Sequence, residues 1–465
     1  MRVLVTGATG MIGRRLLRRL VDDGHSVRAW ARDVERATRQ LPAACEVEPW
    51  DGIAVEPGRL RGVDVVIHLA GEPVADGPWT PARRAAIRAS RIDTSRALVS
   101  AIAGLRREQR PRALVAASAI GFYGNRGDQI LDESAGAGDG FLADVCRDWE
   151  AATARVAELG VRAVSLRIGL VLDPDDGLLG ALLPAFRLGL GGRLGSGRQW
   201  MSWIHRDDMV ELLVRATVDP AYSGPINAVA PEPVSNAAFA RALGAALRRP
   251  ARFPLPGALL RLLAGDRGAA LLASQRVLPG GAERRGMRFR FPALGAALAD
   301  LCGDLSRHID VEQWLPLPPD AVFPFYADAR NLERITPPFL RFRVLHSADP
   351  ALRDGTLIDY RLRLHGVPVR WRSRIESWQP PHAFVDRQLR GPYALWHHRH
   401  SFAPYAGGTL VRDQVRYRLP FGALGELIAG RLVTRDLERI FAYRRAALAE
   451  TFAAAAPPAL QRSGA

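Results

Sequence analysis

The sequence predicts two folded domains in tandem. The first is an α/β domain on a doubly wound parallel sheet. The second is an α+β domain, an antiparallel sheet closed by a long C-terminal helix. Three observations carry this. The first half alternates apolar strand-like runs with amphipathic helical stretches. Near Gly303 the alternation gives way to consecutive segments of period two. The last segment then places apolar residues at helical spacing. A chain of 465 residues, 48% hydrophobic, is long enough for two sizeable cores.

The first element is the most specific. In "RVLVTGATGMIGRRLLRRLVDDGHSVRAWAR" an apolar strand, Val3-Leu4-Val5, runs into Gly7, Gly10 and Gly13. A helix follows with Leu16, Leu17, Leu20 and Val21 on one side, then a second strand, Val27 to Trp30. Glycines at this spacing permit a tight turn and let backbone N–H groups approach a pyrophosphate at the helix N-terminus. The pattern predicts a Rossmann dinucleotide site with Gly7, Thr9, Gly10, Met11, Ile12 and Gly13 in its turn. The alternative is a relic of that fold that no longer binds. The second strand ends without the acid that usually holds an NAD ribose. Asp33 reads instead as the cap of the next helix. Arg28 and Arg32 can meet a 2′-phosphate, Arg32 the better placed, so NADP is preferred to NAD.

Further strands are expected in 63–71, 112–124 and 161–172. Cofactors in such sheets lie at the carboxyl ends of the strands. Ala70, Gly71, Ser118 and Tyr123 therefore fall near the dinucleotide.

All 64 basic residues are arginine, and the net charge is +16. A mechanism that needs a lysine is thereby excluded, including a Schiff base. No finger, basic zipper or RNA-stacking motif accompanies the charge, so no nucleic-acid partner is expected. Three dispersed cysteines imply neither disulfides nor a cysteine-rich metal site. With strand signal from the first residues and no apolar run near the roughly 20 residues of a membrane helix, a cytoplasmic protein without a membrane span is expected.

The first half resembles the extended short-chain dehydrogenase/reductases, and more narrowly the YfcH-like epimerase family. The resemblance rests on "VTGATGMIG", "HLAGEPVADGPWT", "SRIDTSRALVSAI", "SAIGFYG", "FRLGLGGRLGSGRQWMSWIHRDDM" and "LLASQRVLP". It implies an epimerase/dehydratase-like domain over 1–249 and the family's small C-terminal segment, of the DUF1731 type, over 250–298. Two departures bear on chemistry. The superfamily's Tyr-x-x-x-Lys pair belongs near "FLADVCRDWE" (141–150), which has neither residue. The position expected to hold the catalytic Ser/Thr is Ala119, next to Ser118. Ser118 and Tyr123 are the replacement candidates for catalysis, and Arg193, Arg198 and His205 those for contact with a small-molecule substrate. Cys146 reads as core, and Asp207 and Asp208 as helix caps.

In the second half, "TLIDYRLRLH" puts Ile358, Tyr360, Leu362 and Leu364 on one face. "VPVRWRSRIESW" does the same with Val367, Val369, Trp371 and Ile375, and "LVRDQVRYRL" with Val411, Val415, Tyr417 and Leu419. Arginines fill the opposite face and read as a solvated surface. The final helix carries Leu437, Ile440, Phe441 and Leu448 inward. This arrangement resembles the START-like, SRPBCC or polyketide-cyclase superfamily, a helix-grip fold, over 304–456, before a disordered tail at 457–465. The resemblance implies an apolar ligand cavity. Trp371, Trp396, His398, His400 and Asp413 are placed facing it. The histidines and Asp413 read as polar anchors for a hydrophobic ligand; a metal site and a buried structural network are the alternatives, and no metal is assigned. Three classes stay open: an NADP-dependent oxidoreductase or epimerase, an NADP(H)-sensing regulator without turnover, and a carrier with a vestigial Rossmann domain.

Overall fold

Strand β1 (Arg2–Thr6) is buried from Val3 onward and lies inside the first sheet, with a strand on either side. It leads into α1 (Met11–Asp22), whose Gly13, Leu16, Leu17 and Leu20 are buried. Each such leucine contributes about 1.5–3 kcal/mol by leaving water. β2 (Ser26–Ala31), β3 (Cys45–Pro49) and β4 (Val65–His68) follow, then α2 (Pro81–Ala103) and β5 (Ala113–Ala119). After α3 (Phe141–Ala154) come β6 (Arg162–Ile168), α4 (Arg206–Val218), β7 (Gly224–Ala228) and the short α5 (Asp266–Leu271). The sheet order is β7-β6-β5-β4-β1-β2-β3, every pair parallel. The order reverses between β1 and β4, which is where such sheets open a crevice for ligand.

The structure is a computed structural model that describes residues 1–303, 306–347 and 351–453. The chain divides into two units, 1–304 and 305–465. The tail expected to be disordered lies outside the described residues.

The second unit is one antiparallel sheet. Its strands are β8 (Arg307–Leu315), β9 (Arg343–Ser347), β10 (Leu357–Leu364), β11 (Val367–Gln379), β12 (Ala383–Arg390), β13 (Leu395–Tyr405) and β14 (Gly408–Arg418). They lie in the order β8-β14-β13-β12-β11-β10-β9. Leu437, Phe441, Leu448 and Phe452 of α6 (Gly422–Ala453) join the core that the sheet's inward residues build. The alternation places Ile358, Tyr360, Trp371, Val411 and Tyr417 inward as expected. Val367 departs from it: at the start of β11 it runs past the core and is 61% exposed. Two of the outward arginines are ion-paired. Arg372 pairs with Asp359 at 2.7 Å and Arg412 with Glu312 at 2.5 Å.

Asp33 caps the helix after β2, accepting from Arg36 N at 2.9 Å. The cap expected from Asp207 and Asp208 is made by His205 instead, whose Nδ1 accepts from Asp207 N at 3.1 Å. Asp208 turns inward and accepts from the backbone N–H groups of Arg290 and Phe291.

Candidate active site

The glycine turn after β1 is dictated by close approach. Gly7 has φ +71°, and a Cβ there would stand 2.5 Å from the carbonyl carbon of Leu69, just past β4. A Cβ on Gly13 would meet Gly7 O at 2.4 Å. The two strand ends and the start of α1 thus pack backbone against backbone, which only glycine allows. Gly10 caps α1 with no side-chain acceptor. The first N–H groups of the helix are left for an anion, whose charge the helix dipole also favours.

This turn forms one side of a cavity of about 830 Å³. Gly7, Gly10, Met11, Ile12, Gly13 and Gly71 line it. Ala117, Ser118 and Ala119, at the end of β5, contribute from the neighbouring strand. The remaining wall is mostly apolar: Trp79, Ile87, Phe141, Leu142, Val145 and Trp149. Asp266, Ala269 and Ala270 of α5 also line the cavity, and Asp266 is ion-paired with Arg84. The small segment after the Rossmann sheet is therefore part of the site. Glycines without Cβ, free helix N–H groups and a long cavity at the switch point fit a dinucleotide.

α3 occupies the place of the absent Tyr-x-x-x-Lys pair. Among its residues that line the cavity, Cys146 carries the one ionisable group. Burial, with the nearby Glu150 charge, pushes its thiol up to about 11, so it stays protonated at neutral pH.

Beneath the cavity lies a buried polar network. Ser118 Oγ donates to Glu150 Oε1 at 2.6 Å. Arg167, on β6, grips the same carboxylate through Nε and Nη2, each at 2.9 Å. Ser118 has committed its proton and offers the cavity lone pairs only. This removes it as a proton donor but keeps it as an acceptor for a nicotinamide or substrate N–H or O–H.

Tyr123 does not reach the cavity. It is fully buried, its hydroxyl 2.7 Å from Asn227 Oδ1 and accepting from Arg167 Nη1 at 2.9 Å. Burial raises its pKa further. The expectation that it replaces the missing acid is corrected: the phenol is a structural member of the Arg167 network. His205 is corrected likewise. It is fully buried, stacks on Phe291 at 3.9 Å between ring centroids, and has its pKa lowered mainly by burial. Arg193 and Arg198 stay on an exposed loop and are not among the cavity-lining residues. Arg193 donates back to Ser196 O at 2.9 Å.

Within β2, Arg28 is engaged by Glu48 at 3.0 Å and Glu46 at 3.2 Å, which takes it out of contention for a phosphate. Arg32 follows the strand with its side chain 78% exposed and 4.0 Å from Glu72. Thr9 and Ala70 sit in the backbone of the same turns, beside the lining residues.

Arg91 was not singled out from the sequence, although it stands in the quoted "SRIDTSRALVSAI". It lines the cavity from α2, donates to Glu72 O and Ile87 O at 3.0 Å, and lies 5.4 Å from the Trp149 ring centroid. A Cβ on Gly71 would stand 3.2 Å from its Cζ, so Gly71 makes room for the guanidinium. Burial lowers its pKa, but arginine stays charged.

In the second unit, Trp371, Trp396 and His398 line a cavity of about 110 Å³ between sheet and α6, with Tyr360, Phe441 and Arg444. His400 and Asp413 are buried but are not among that cavity's lining residues; Asp413 faces an adjoining cleft with Tyr326. Burial holds the His398 imidazole down to about 3, hence neutral.

Comparison with known proteins bears on both units. Residues 3–228 match the model of the NAD dependent epimerase/dehydratase family. Residues 255–301 match a domain of unknown function, DUF1731, and residues 315–442 the polyketide cyclase / dehydrase and lipid transport family. The chain is 39% identical over 303 residues to the chloroplastic SDR39U1 homolog of Arabidopsis thaliana, covering 64% of this chain and 86% of that protein. It is 40% identical over 299 residues to an epimerase family protein of Mycobacterium bovis, covering 64% of this chain and 96% of that one. Among solved structures, human SDR39U1 with NADPH superposes with a TM-score of 0.60 at 36% identity, over 66% of this chain and 100% of that chain. Among the described residues, no helix is long and apolar enough to cross a membrane.

Proposed function

The first unit of this chain belongs to the NAD dependent epimerase/dehydratase family, close to the SDR39U1 proteins, and from that premise we propose an NADP-dependent oxidoreductase or epimerase acting on a small apolar substrate. The observation that carries this reading is the shared cavity: the glycine turn and an aromatic wall of Trp79, Phe141 and Trp149 face one space. The wall is apolar, while Arg91, Asn125 and Gln275 supply a few polar contacts to the same space. The NADPH held by the human relative supports NADP over NAD.

A bound dinucleotide supplies hydride chemistry. The residues of this chain do the rest. The Gly7–Gly13 turn admits the pyrophosphate, and Arg32 meets the 2′-phosphate. Ser118 orients an N–H or O–H through its lone pairs. Arg91 stabilises negative charge developing on a substrate oxygen. The aromatic wall excludes water. With no tyrosine–lysine pair, the proton comes from solvent or from the substrate, at the expense of the roughly 10²–10⁴-fold that general acid catalysis supplies.

The second unit, in this reading, binds a hydrophobic ligand chemically related to that substrate, and the setting is the reducing cytoplasm. The missing pair also favours a second reading, an NADP(H)-sensing regulator without turnover. Fluorescence titration with NADPH and NADH, followed by NADPH consumption across carbonyl and enone compounds, separates the two. Selective NADPH binding with turnover supports the enzyme, binding without turnover supports the regulator, and absent binding refutes both. Arg32→Ala is expected to weaken NADPH about tenfold or more and leave NADH unchanged.

A further inference from the structure

His398 and His400 alternate along β13 with one residue between them, so both imidazoles project from the same face. Asp413 of β14 is the direct cross-strand partner of His400. All three are buried, at 4–5% exposure. His398 Nε2 lies 3.0 Å and His400 Nδ1 2.6 Å from the same carboxylate oxygen, Asp413 Oδ1. One candidate ligand atom from each residue falls within 4.8 Å of the others.

A simple hydrogen-bonded network accounts for only half of this. His398 makes a hydrogen bond to Asp413. His400 Nδ1 stands closer, yet makes no hydrogen bond. Its proton or lone pair is directed elsewhere than along the contact. Donors gathered around one carboxylate oxygen in this way can share one cation; at about 2.0–2.2 Å from a tetrahedral metal such atoms lie about 3.4 Å apart, so His400 and Asp413 would separate by somewhat less than about 1 Å on binding it. A second observation comes from another element. Tyr326, 7% exposed, faces the cleft that Asp413 lines, and its hydroxyl also has no hydrogen-bond partner. Buried polar groups left this way cost about 1–3 kcal/mol each. Phe384 stacks on the His400 ring at 4.4 Å between centroids and holds its orientation.

We propose that His398, His400 and Asp413 form a divalent transition-metal site of the two-histidine, one-carboxylate type, with the Tyr326 ring 5.9 Å from that of His400. Two imidazoles and one carboxylate suit Zn²⁺ or Fe²⁺; Mg²⁺ and Ca²⁺ prefer all-oxygen sets, and no thiolate is present to select a softer ion. Three protein ligands leave a coordination position open, as in metal sites that bind or activate a ligand. His398 is also a wall residue of the adjoining cavity. The metal therefore serves as a polar contact for a ligand that is otherwise held by aromatic rings. This inference stands apart from the dinucleotide reading and survives its failure.

The test uses the full chain. Protein stripped with a chelator is titrated with Co²⁺ alone, followed by visible absorption, with near-UV circular dichroism as the folding check. Stoichiometric uptake with ligand-field bands is expected. H398Q, H400Q and D413N should each weaken Co²⁺ by more than the roughly 10–100-fold that follows loss of an outer-shell partner. H397Q, on the opposite face of β13, should bind as the wild type does. Should a ligand variant fail to fold, the wild type decides. Folded, chelator-treated wild type that takes up neither Co²⁺ nor Zn²⁺ overturns the proposal, as does a folded H400Q that retains the spectrum.

Discussion

Replacing Arg167 by methionine tests how the floor of the first cavity is held. The Arg167–Glu150 pair is bidentate at 2.9 Å, with side-chain exposures of 5% and 13%. Methionine fills much of the volume but leaves the Glu150 carboxylate buried, with Ser118 still donating to it. It also strips the Tyr123 hydroxyl of a donor and removes a cation 3.6 Å from the Phe122 ring centroid. Breaking a buried ion pair from one side costs about 3–5 kcal/mol, because a charge is left uncompensated. For a unit of about 300 residues that corresponds to a melting temperature lower by roughly 5–8 °C. Adding Glu150→Gln to Arg167→Met removes the stranded charge and should recover most of the loss. Differential scanning calorimetry of the wild type, both single variants and the double variant measures this. The reasoning fails if Arg167→Met melts within about 2 °C of wild type, or if the double variant is no more stable than Arg167→Met alone.

Gly13→Ala forces a Cβ to 2.4 Å from Gly7 O, where ordinary contact begins near 3.4 Å. The start of α1 must shift by about 1 Å, a misplacement that can cost about 10²-fold in a positioned site; NADPH titration reads it. Arg91→Met should lower turnover about 10²-fold while leaving NADPH affinity within a few-fold, the mark of charge stabilisation rather than cofactor binding. Burial, with the nearby Arg91 charge, holds His68 down to about 4 from an ordinary 6.5, between Thr6 and Thr94. The unfolded chain thus takes up a proton between those values that the folded chain refuses. His68's contribution is complete above about pH 6.5 and is lost as pH falls toward 4, by about 3 kcal/mol in all. Urea denaturation from pH 7 to 4 should show this slope, and His68→Asn should flatten it.

The parts of this molecule legible in the sequence are those fixed by local chemistry. Gly7, Gly10 and Gly13 announce the turn because no other residue permits its approaches. The period of two in β10, β11 and β14 places Tyr360, Trp371 and Asp413 inward because strand parity is a local property. The misreadings concern residues whose role depends on distant partners. Tyr123 looked exposed to the cofactor by its position after β5, but Asn227 and Arg167, far along the chain, claim its hydroxyl. His205 is withdrawn by Phe291 and Asp300. Arg91 and Arg167 went unnoticed for the same reason: among 64 arginines, composition hides the few that tertiary packing draws inward. Gly71 held a usable signal, since a glycine after β4 asks what it makes room for.

The strand parity that gathers His398, His400 and Asp413 also sets the tolerance of β13 to insertion and deletion. Removing one residue ahead of His397 reverses every side chain downstream. His397 and Arg399 would then point into the aromatic core, and His398 and His400 into water. Removing two residues restores the face and shifts only the cross-strand partners. Length variation in this strand should therefore be accepted in steps of two and rejected in steps of one.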